Sequence, residues 1–227
     1  AGLKRDLLMV WRSSPLRWSV ASIVVTAAAG VFFFPAYWQL SGDLPLDTKV
    51  PSGVTEEGHP WIGATAPRLE IVEYTDYLCF QCRKMHRYLR QLVARYPNRI
   101  RLVHRHFPMD HTVNVMVSEP FHVGSGNMAL LALYAAEQGK FWEMHDRLFE
   151  AEGALEQDQL IEYARELGLD AARFADDLNS RRFRDAVNED FKAAVTNKIK
   201  LPPVLFINGI ALDGPRTRDA ICARIDS

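Results

Sequence analysis

Apolar positions recur with two different periods along this chain, and each switch between them marks an element. Residues 69–74 set Ile71, Val72 and Tyr74 around Glu73, apolar on both faces, which suits a buried central strand. Residues 80–96 then place Met85, Leu89, Leu92, Val93 and Tyr96 on one side of a helix, and Pro97-Asn98 stops it. Residues 100–107 return to alternation, with Ile100, Leu102, His104 and His106 pointing one way. Strand, helix and strand at this spacing predict a βαβ unit with a right-handed crossover.

The helical period then takes over. Residues 127–138, 141–151, 157–167, 171–178 and 182–196 each carry apolar residues at helical spacing, punctuated by Gly139, Gly153, Gly168 and Asn179. Residues 203–207 read as a strand, Asn208-Gly209 as a hairpin turn and residues 210–212 as the return strand. Residues 217–225 predict a closing helix. The class is therefore α/β: a βαβ unit, a helical insertion over about residues 112–198, a hairpin and a helix.

Upstream of this pattern, residues 18–40 contain no charged side chain, a run long enough to cross a hydrocarbon layer as one helix. Lys4, Arg5, Arg12 and Arg17 precede it against Asp6 alone, and that basic excess keeps the N-terminal side cytoplasmic. Residues 1–17 are expected as a cytoplasmic stub and residues 18–40 as a single transmembrane helix in the inner (cytoplasmic) membrane. The rest would then be periplasmic or extracytoplasmic. Ala27-Ala28-Ala29 has the small-residue character of a signal cleavage site, but it falls in mid-stretch with residues 31–34 still to come. Residues 41–66 hold Gly42, Pro45, Pro51, Gly53, Gly58, Pro60 and Gly63 with no sustained period. They are expected to form a flexible extracytoplasmic linker with a reach on the order of 30 Å, leaving the folded domain over residues 67–227.

Composition narrows the function classes. The 227 residues carry 27 basic and 28 acidic side chains, so no basic excess argues for nucleic acid. Three cysteines, Cys79, Cys82 and Cys222, are too few for a disulfide framework. They fit one redox-active pair and one buried thiol, Cys222, which packs like a small hydrophobe.

Cys79-Phe80-Gln81-Cys82 opens the first predicted helix directly after the first strand. A sulfur at a helix N-terminus meets unpaired backbone N–H groups and the positive end of the helix dipole. Both favour the thiolate, which is the attacking species, and can bring a thiol near 8.5 down to roughly 3.5–7.5. A second sulfur one turn on can close a disulfide with the first. A structural zinc site would need four ligands, and the sequence has no second CxxC. Among the seven histidines, His104 and His106 share a strand face, and His111 and His122 lie in the loop after it. Imidazole with thiolate suits copper or zinc, but scattered histidines are commonly structural, and no metal site is assigned.

The stretch from Gly63 to Cys82 resembles the entry to the active site of periplasmic disulfide oxidoreductases of the DsbA type. Phe107-Pro108-Met109-Asp110, Gln138-Gly139-Lys140-Phe141-Trp142 and Pro203-Val204-Leu205-Phe206-Ile207-Asn208-Gly209 resemble later blocks of that family. The stretch closely resembles the membrane-anchored members and the thioredoxin-like domains fused to vitamin K epoxide reductase homologues. It implies a thioredoxin fold with a helical insertion. It also implies a thiol–disulfide oxidoreductase that forms or exchanges disulfides in extracytoplasmic proteins. Cys79 is similar to the exposed nucleophilic cysteine, and Cys82 to the buried resolving one. Glu73 resembles the buried acid that moves protons for the resolving thiol, and Pro203 the cis-proline facing the disulfide. Phe80 and Gln81, between the cysteines, and Pro202, before the cis-proline, would meet substrate. Phe80-Gln81 departs from the family's usual proline-containing pair, and Pro202 has no N–H to offer a bound strand.

The resemblance implies no cofactor beyond the Cys79–Cys82 disulfide. The partners it implies are protein thiols and a membrane quinone-linked reoxidant, with lipid around the one helix. A different class is also compatible with the residues: a non-catalytic accessory or assembly subunit of a membrane complex, or a copper carrier using Cys79, Cys82 and a histidine.

Overall fold

The computed structural model describes residues 50–178, 181–214 and 221. The expected stub, the expected membrane helix, Cys222 and nearly all of the expected closing helix lie outside them. Among the described residues, no helix is long and apolar enough to cross a membrane.

Six strands form one sheet: β1 (Ser52–Val54), β2 (Pro60–Gly63), β3 (Leu69–Thr75), β4 (Ile100–His106), β5 (Val204–Ile207) and β6 (Ile210–Ala211). Their spatial order is β1-β2-β4-β3-β5-β6. β3 and β4 run parallel in a register that sets Glu73 opposite His104 and Thr75 opposite His106. The other pairs are antiparallel. A parallel pair needs a long crossover, and α1 (Phe80–Arg95) supplies it. The Asn208-Gly209 turn has φ of 47° and 79° at its two residues, the left-handed backbone that asparagine and glycine tolerate best.

β3 is covered on both sides, as its unbroken apolar character requires. Period-two alternation sends Ile71 to one face with Leu102, Leu205 and Ile207, where α1 packs through Met85, Leu89, Leu92 and Val93. Val72 and Tyr74 face the other way, with Phe206, Phe191 and Ala194. The last two come from α6 (Arg181–Thr196). Between β4 and α6 the insertion adds α2 (Ser125–Glu137), α3 (Phe141–Glu150), α4 (Gln157–Glu166) and α5 (Ala171–Asp177). Met128, Ala129, Leu130, Leu131, Ala132, Tyr134 and Ala135 of α2 are all buried, so α2 is the core helix of the insertion rather than a surface one.

One boundary is corrected. In its described part, the linker expected over residues 41–66 is ordered into β1 and β2, and β2 pairs with β4. Strands of three and four residues are too short for alternation to register in the sequence. They are held instead by partners distant in the chain. The Trp142 indole N–H donates to the carbonyl of Trp61 at 3.0 Å, and the Ala64 N–H donates to the carbonyl of Ile100 at 2.8 Å.

Gly63 tests this boundary. It has φ of 120°, and a Cβ there would collide with the Ile100 carbonyl. Gly63→Ala is expected to lower unfolding free energy by roughly 2–4 kcal/mol in a denaturant titration. A neutral result would return residues 60–63 to the linker.

Candidate active site

Cys79 is the residue that caps α1. Its backbone is extended, with φ of −76° and ψ of 117°, and its carbonyl accepts the Arg83 N–H at 3.0 Å. Its sulfur takes the place a serine or aspartate oxygen fills at ordinary helix starts. The Cys82 N–H donates to that sulfur at 3.3 Å. No acidic residue lies in the first turn to oppose a negative charge. The Cys79 thiol is lowered to about 6, first by the Cys82 side chain and then by the Cys82 and Gln81 N–H groups, against a partial burial that raises it. Cys82 is shifted the opposite way: burial, then the neighbouring Cys79 sulfur, pushes its thiol far up.

The pair is less open than the family likeness implies for its first cysteine. Cys79 is 9% exposed and Cys82 not at all. Pro202 covers the other side, and the Cys79 sulfur lies 3.8 Å from its carbonyl oxygen. The peptide bond between Pro202 and Pro203 is cis. Phe80, at 63% exposure, stands out beside the sulfurs with the Lys84 ammonium 4.5 Å from its ring centre. Gln81 is exposed as well. The fold thus brings Cys79, Cys82, Phe80, Gln81, Pro202 and Pro203 together at one end of the sheet.

Asp76, three residues before Cys79, is a site residue that sequence reasoning did not single out. It is buried, yet its two oxygens have four partners. Leu78 N–H donates to Oδ1 at 2.7 Å, and Met109 N–H and the Ser125 hydroxyl donate to Oδ2 at 2.6 and 2.8 Å. The His122 imidazole lies 3.0 Å from Oδ1. This one carboxylate therefore joins the turn before Cys79, the exit of β4 and the start of α2. An Asp two residues before a bonded N–H is an Asx turn, a signal present in the sequence as Asp76-Tyr77-Leu78. His122 is raised by its bond to Asp76 first and then by the charges of Asp76 and Cys79.

Glu73 is placed inside the domain, fully buried on β3. Loss of water raises its carboxyl to about 7, while His86 and Arg90 pull the other way. Its carboxyl faces His104 and His145. His104 and His106 do share a face, their rings 3.1 Å apart between Nε2 and Nδ1. His111 and His122 go elsewhere, to Asp110 and Asp76. In their stead His86 of α1 and His145 of α3 join the buried group, a meeting of three elements that spacing along the chain does not reveal.

Replacing Asp76 strands two backbone N–H groups and a hydroxyl in the interior. Asp76→Ala is expected to cost about 2–5 kcal/mol, from about 1–3 for each buried group left unpaired with partial relaxation. It should also move the pH midpoint of Cys79 alkylation downward, because the Asp76 charge opposes the Cys79 thiolate. Equal stability and equal thiol reactivity in the variant would remove Asp76 from the site.

Comparison with known proteins agrees with this geometry. The thioredoxin family profile matches residues 55–227. A thioredoxin-like oxidoreductase from Silicibacter pomeroyi superposes with a TM-score of 0.60 at 25% identity, over 74% of this chain and 93% of that one. The thiol–disulfide exchange protein alpha-DsbA2 of Wolbachia pipientis shares the fold, with a TM-score of 0.59 at 16% identity over 74% and 86%. A Na+/H+ antiporter, NhaA of Herminiimonas arsenicoxydans, is 31% identical over 213 residues, 92% of this chain and 32% of the antiporter. Across the antiporters matched, the chain spans about a fifth to a third of their length. The family match over most of the chain, the fold and the two sulfurs at the start of α1 agree: the chain belongs to the thioredoxin family and carries a CxxC pair where its first helix begins.

Proposed function

We propose that this chain introduces disulfides into extracytoplasmic proteins and is held to the membrane by one helix over residues 18–40. The observation that carries the reading is the opposite treatment of two sulfurs three residues apart. Cys79 is drawn toward thiolate first by the Cys82 side chain and then by N–H groups of α1, and Cys82 is held as thiol by burial.

The cycle follows from that asymmetry. A substrate thiolate attacks the Cys79 sulfur of the Cys79–Cys82 disulfide. The bond between the two cysteines breaks, and Cys82 leaves with the electron pair and takes a proton. A second substrate thiolate then attacks the substrate sulfur of the mixed disulfide and releases Cys79 as a thiolate. The substrate gains a disulfide, and two electrons rest on the Cys79–Cys82 pair. A membrane quinone-linked partner would remove them. A stabilised thiolate makes Cys79 a good leaving group and favours the reduced form of the pair, which is the character of an oxidant. Exposed Phe80 and Gln81 and the carbonyl of Pro202 would meet the substrate, since Pro202 has no N–H to give. A proton role for Glu73 is a separate claim that the sulfur cycle does not need.

The membrane anchor and the kinship with domains fused to vitamin K epoxide reductase homologues belong to the same proposal. The Herminiimonas alignment supports the anchor. It takes in 92% of the chain, leaving about 18 of 227 residues, so it reaches well into residues 18–40 in a membrane transporter. The antiporters and this chain would share a thioredoxin-like portion and the span before it. The copper-carrier alternative needs a histidine free beside the two sulfurs, but His122, the imidazole that senses the Cys79 charge, is spent on Asp76.

Two measurements test the reading. In reduced protein, alkylation of Cys79 by iodoacetamide should rise with pH and be half-maximal near 6. The sign follows from a lowered thiol. The thiolate's stabilising contribution is full above the ordinary range near 8.5 and is lost as pH falls through about 6. A midpoint near 8.5 would remove the activated nucleophile. Cys82→Ser should accumulate a mixed disulfide between Cys79 and substrate protein under oxidising conditions, and Cys79→Ser should not. An absence of adduct in Cys82→Ser, with Cys79 reactive, would leave the fold without the function.

A further inference from the structure

We propose that Glu73, His104 and His145 form a binding site for a borderline divalent cation of the zinc class, behind the redox pair and independent of it. Glu73 and His104 are cross-strand partners on β3 and β4, and His145 reaches them from α3. Glu73 Oε1 lies 3.8 Å from His104 Nδ1 and 3.7 Å from His145 Nε2, and the three donor atoms fall within 4.8 Å of one another. All three side chains are fully buried.

What marks the group as a site is where its hydrogen bonds stop. Both Glu73 oxygens, His104 Nδ1 and His145 Nε2 have no hydrogen-bond partner, although buried polar atoms nearly always do. His86 Nδ1, His106 Nε2 and Thr75 Oγ1 nearby lack one too, but among the described residues only Glu73, His104 and His145 bring donor atoms together within 4.8 Å. The outer nitrogens of the same rings are engaged. His145 Nδ1 meets the Tyr77 hydroxyl at 2.7 Å, and His104 Nε2 meets His106 Nδ1 at 3.1 Å. Each imidazole is thus oriented by an outer partner and turns a bare nitrogen toward one carboxylate oxygen. Metal-binding histidines are held in this way. A proton donated outward, to Tyr77 and to His106, leaves both inward nitrogens as lone pairs.

The spacing separates a cation from a hydrogen bond. An N–H bonded to a carboxylate would close to about 2.7–2.9 Å. Ligands at about 2.0–2.1 Å around a tetrahedral zinc stand about 3.4 Å apart. The distances of 3.7 and 3.8 Å lie a few tenths from the second arrangement and far from the first. Two imidazoles with one carboxylate suit zinc and its neighbours, whereas hard calcium and magnesium take oxygen alone. Three protein ligands leave one position for solvent. Close by, His86 and Arg90 flank Asp146, so the charge on that side is already paired. A cation on Glu73 occupies the oxygen that proton exchange would use, so ligation here replaces the proton-moving role the family likeness implies.

The test uses the full chain with Cys79 and Cys82 joined as a disulfide and Cys222 replaced by serine (Cys222→Ser), so that sulfur cannot compete for metal. Co2+ is added to folded protein and, because the ligands are buried, also during refolding. One Co2+ per chain should survive desalting, with visible ligand-field bands and no sulfur charge-transfer band. Glu73→Gln and His145→Asn should each lower affinity at least tenfold. Where a variant does not fold, the unsubstituted chain decides: zinc should raise its Tm and a chelator should reverse the rise. The proposal is overturned if no Co2+ is retained by either route, if both variants retain it as well as the parent, or if zinc leaves Tm unchanged.

Discussion

The turn that leads from β3 into α1 has to keep its shape, because everything chemical at the site is an effect of direction. An N–H lowers the energy of a thiolate only if it points at the sulfur. Cys79 stands three residues past Asp76, and the Asp76 carboxylate fastens that turn to two other places in the fold, the chain after β4 and the start of α2. A backbone loop at the end of a sheet would otherwise be free to reorient. Here it is tied by bonds that are buried and charge-assisted, the kind that is strongest when made and most expensive when lost.

That constraint explains how one short motif holds two sulfurs in opposite states. Cys79 occupies the cap, where N–H groups are unpaired, and Cys82 lies one turn inside α1 against the sheet, fully buried. The difference comes from position on the helix more than from any charged neighbour. Cys79 has no acid in its helix turn, and the causes that lower it begin with Cys82 itself. The Pro202 carbonyl lies against the Cys79 sulfur, and Phe80 stands exposed at the start of the same helix.

Much of this architecture was readable as period. The apolar stripe of Met85, Leu89 and Leu92 announced α1, the Asn208-Gly209 pair announced the hairpin, and the CxxC between strand and helix announced the redox site. β1 and β2 were not readable, because three or four residues with glycine and proline between them carry too little alternation. Their order comes from Trp142 and Ile100, 81 residues from Trp61 in the first case. Asp76 was written in the sequence as an Asx turn, but its reach to Met109 and Ser125 is a tertiary fact that local spacing does not contain.

The histidines show the same limit from the other side. Alternation correctly set His104 and His106 on one face of β4, and that face is the one buried under α1 and α3. A period cannot say which of several polar residues on an apolar face will meet, and His145 arrives from a helix that looked like plain core. Burying four imidazoles and a carboxyl among Phe141, Phe149 and Tyr77 is costly unless each ring is satisfied. The outer nitrogens of His104 and His145 are satisfied by His106 and Tyr77, whereas their inner nitrogens converge on an unpaired oxygen. A fold that needed these residues only as packing could have used leucine or phenylalanine at lower cost. Convergence of the unpaired atoms on one point is therefore better explained by a third body between them than by polarity tolerated in the core.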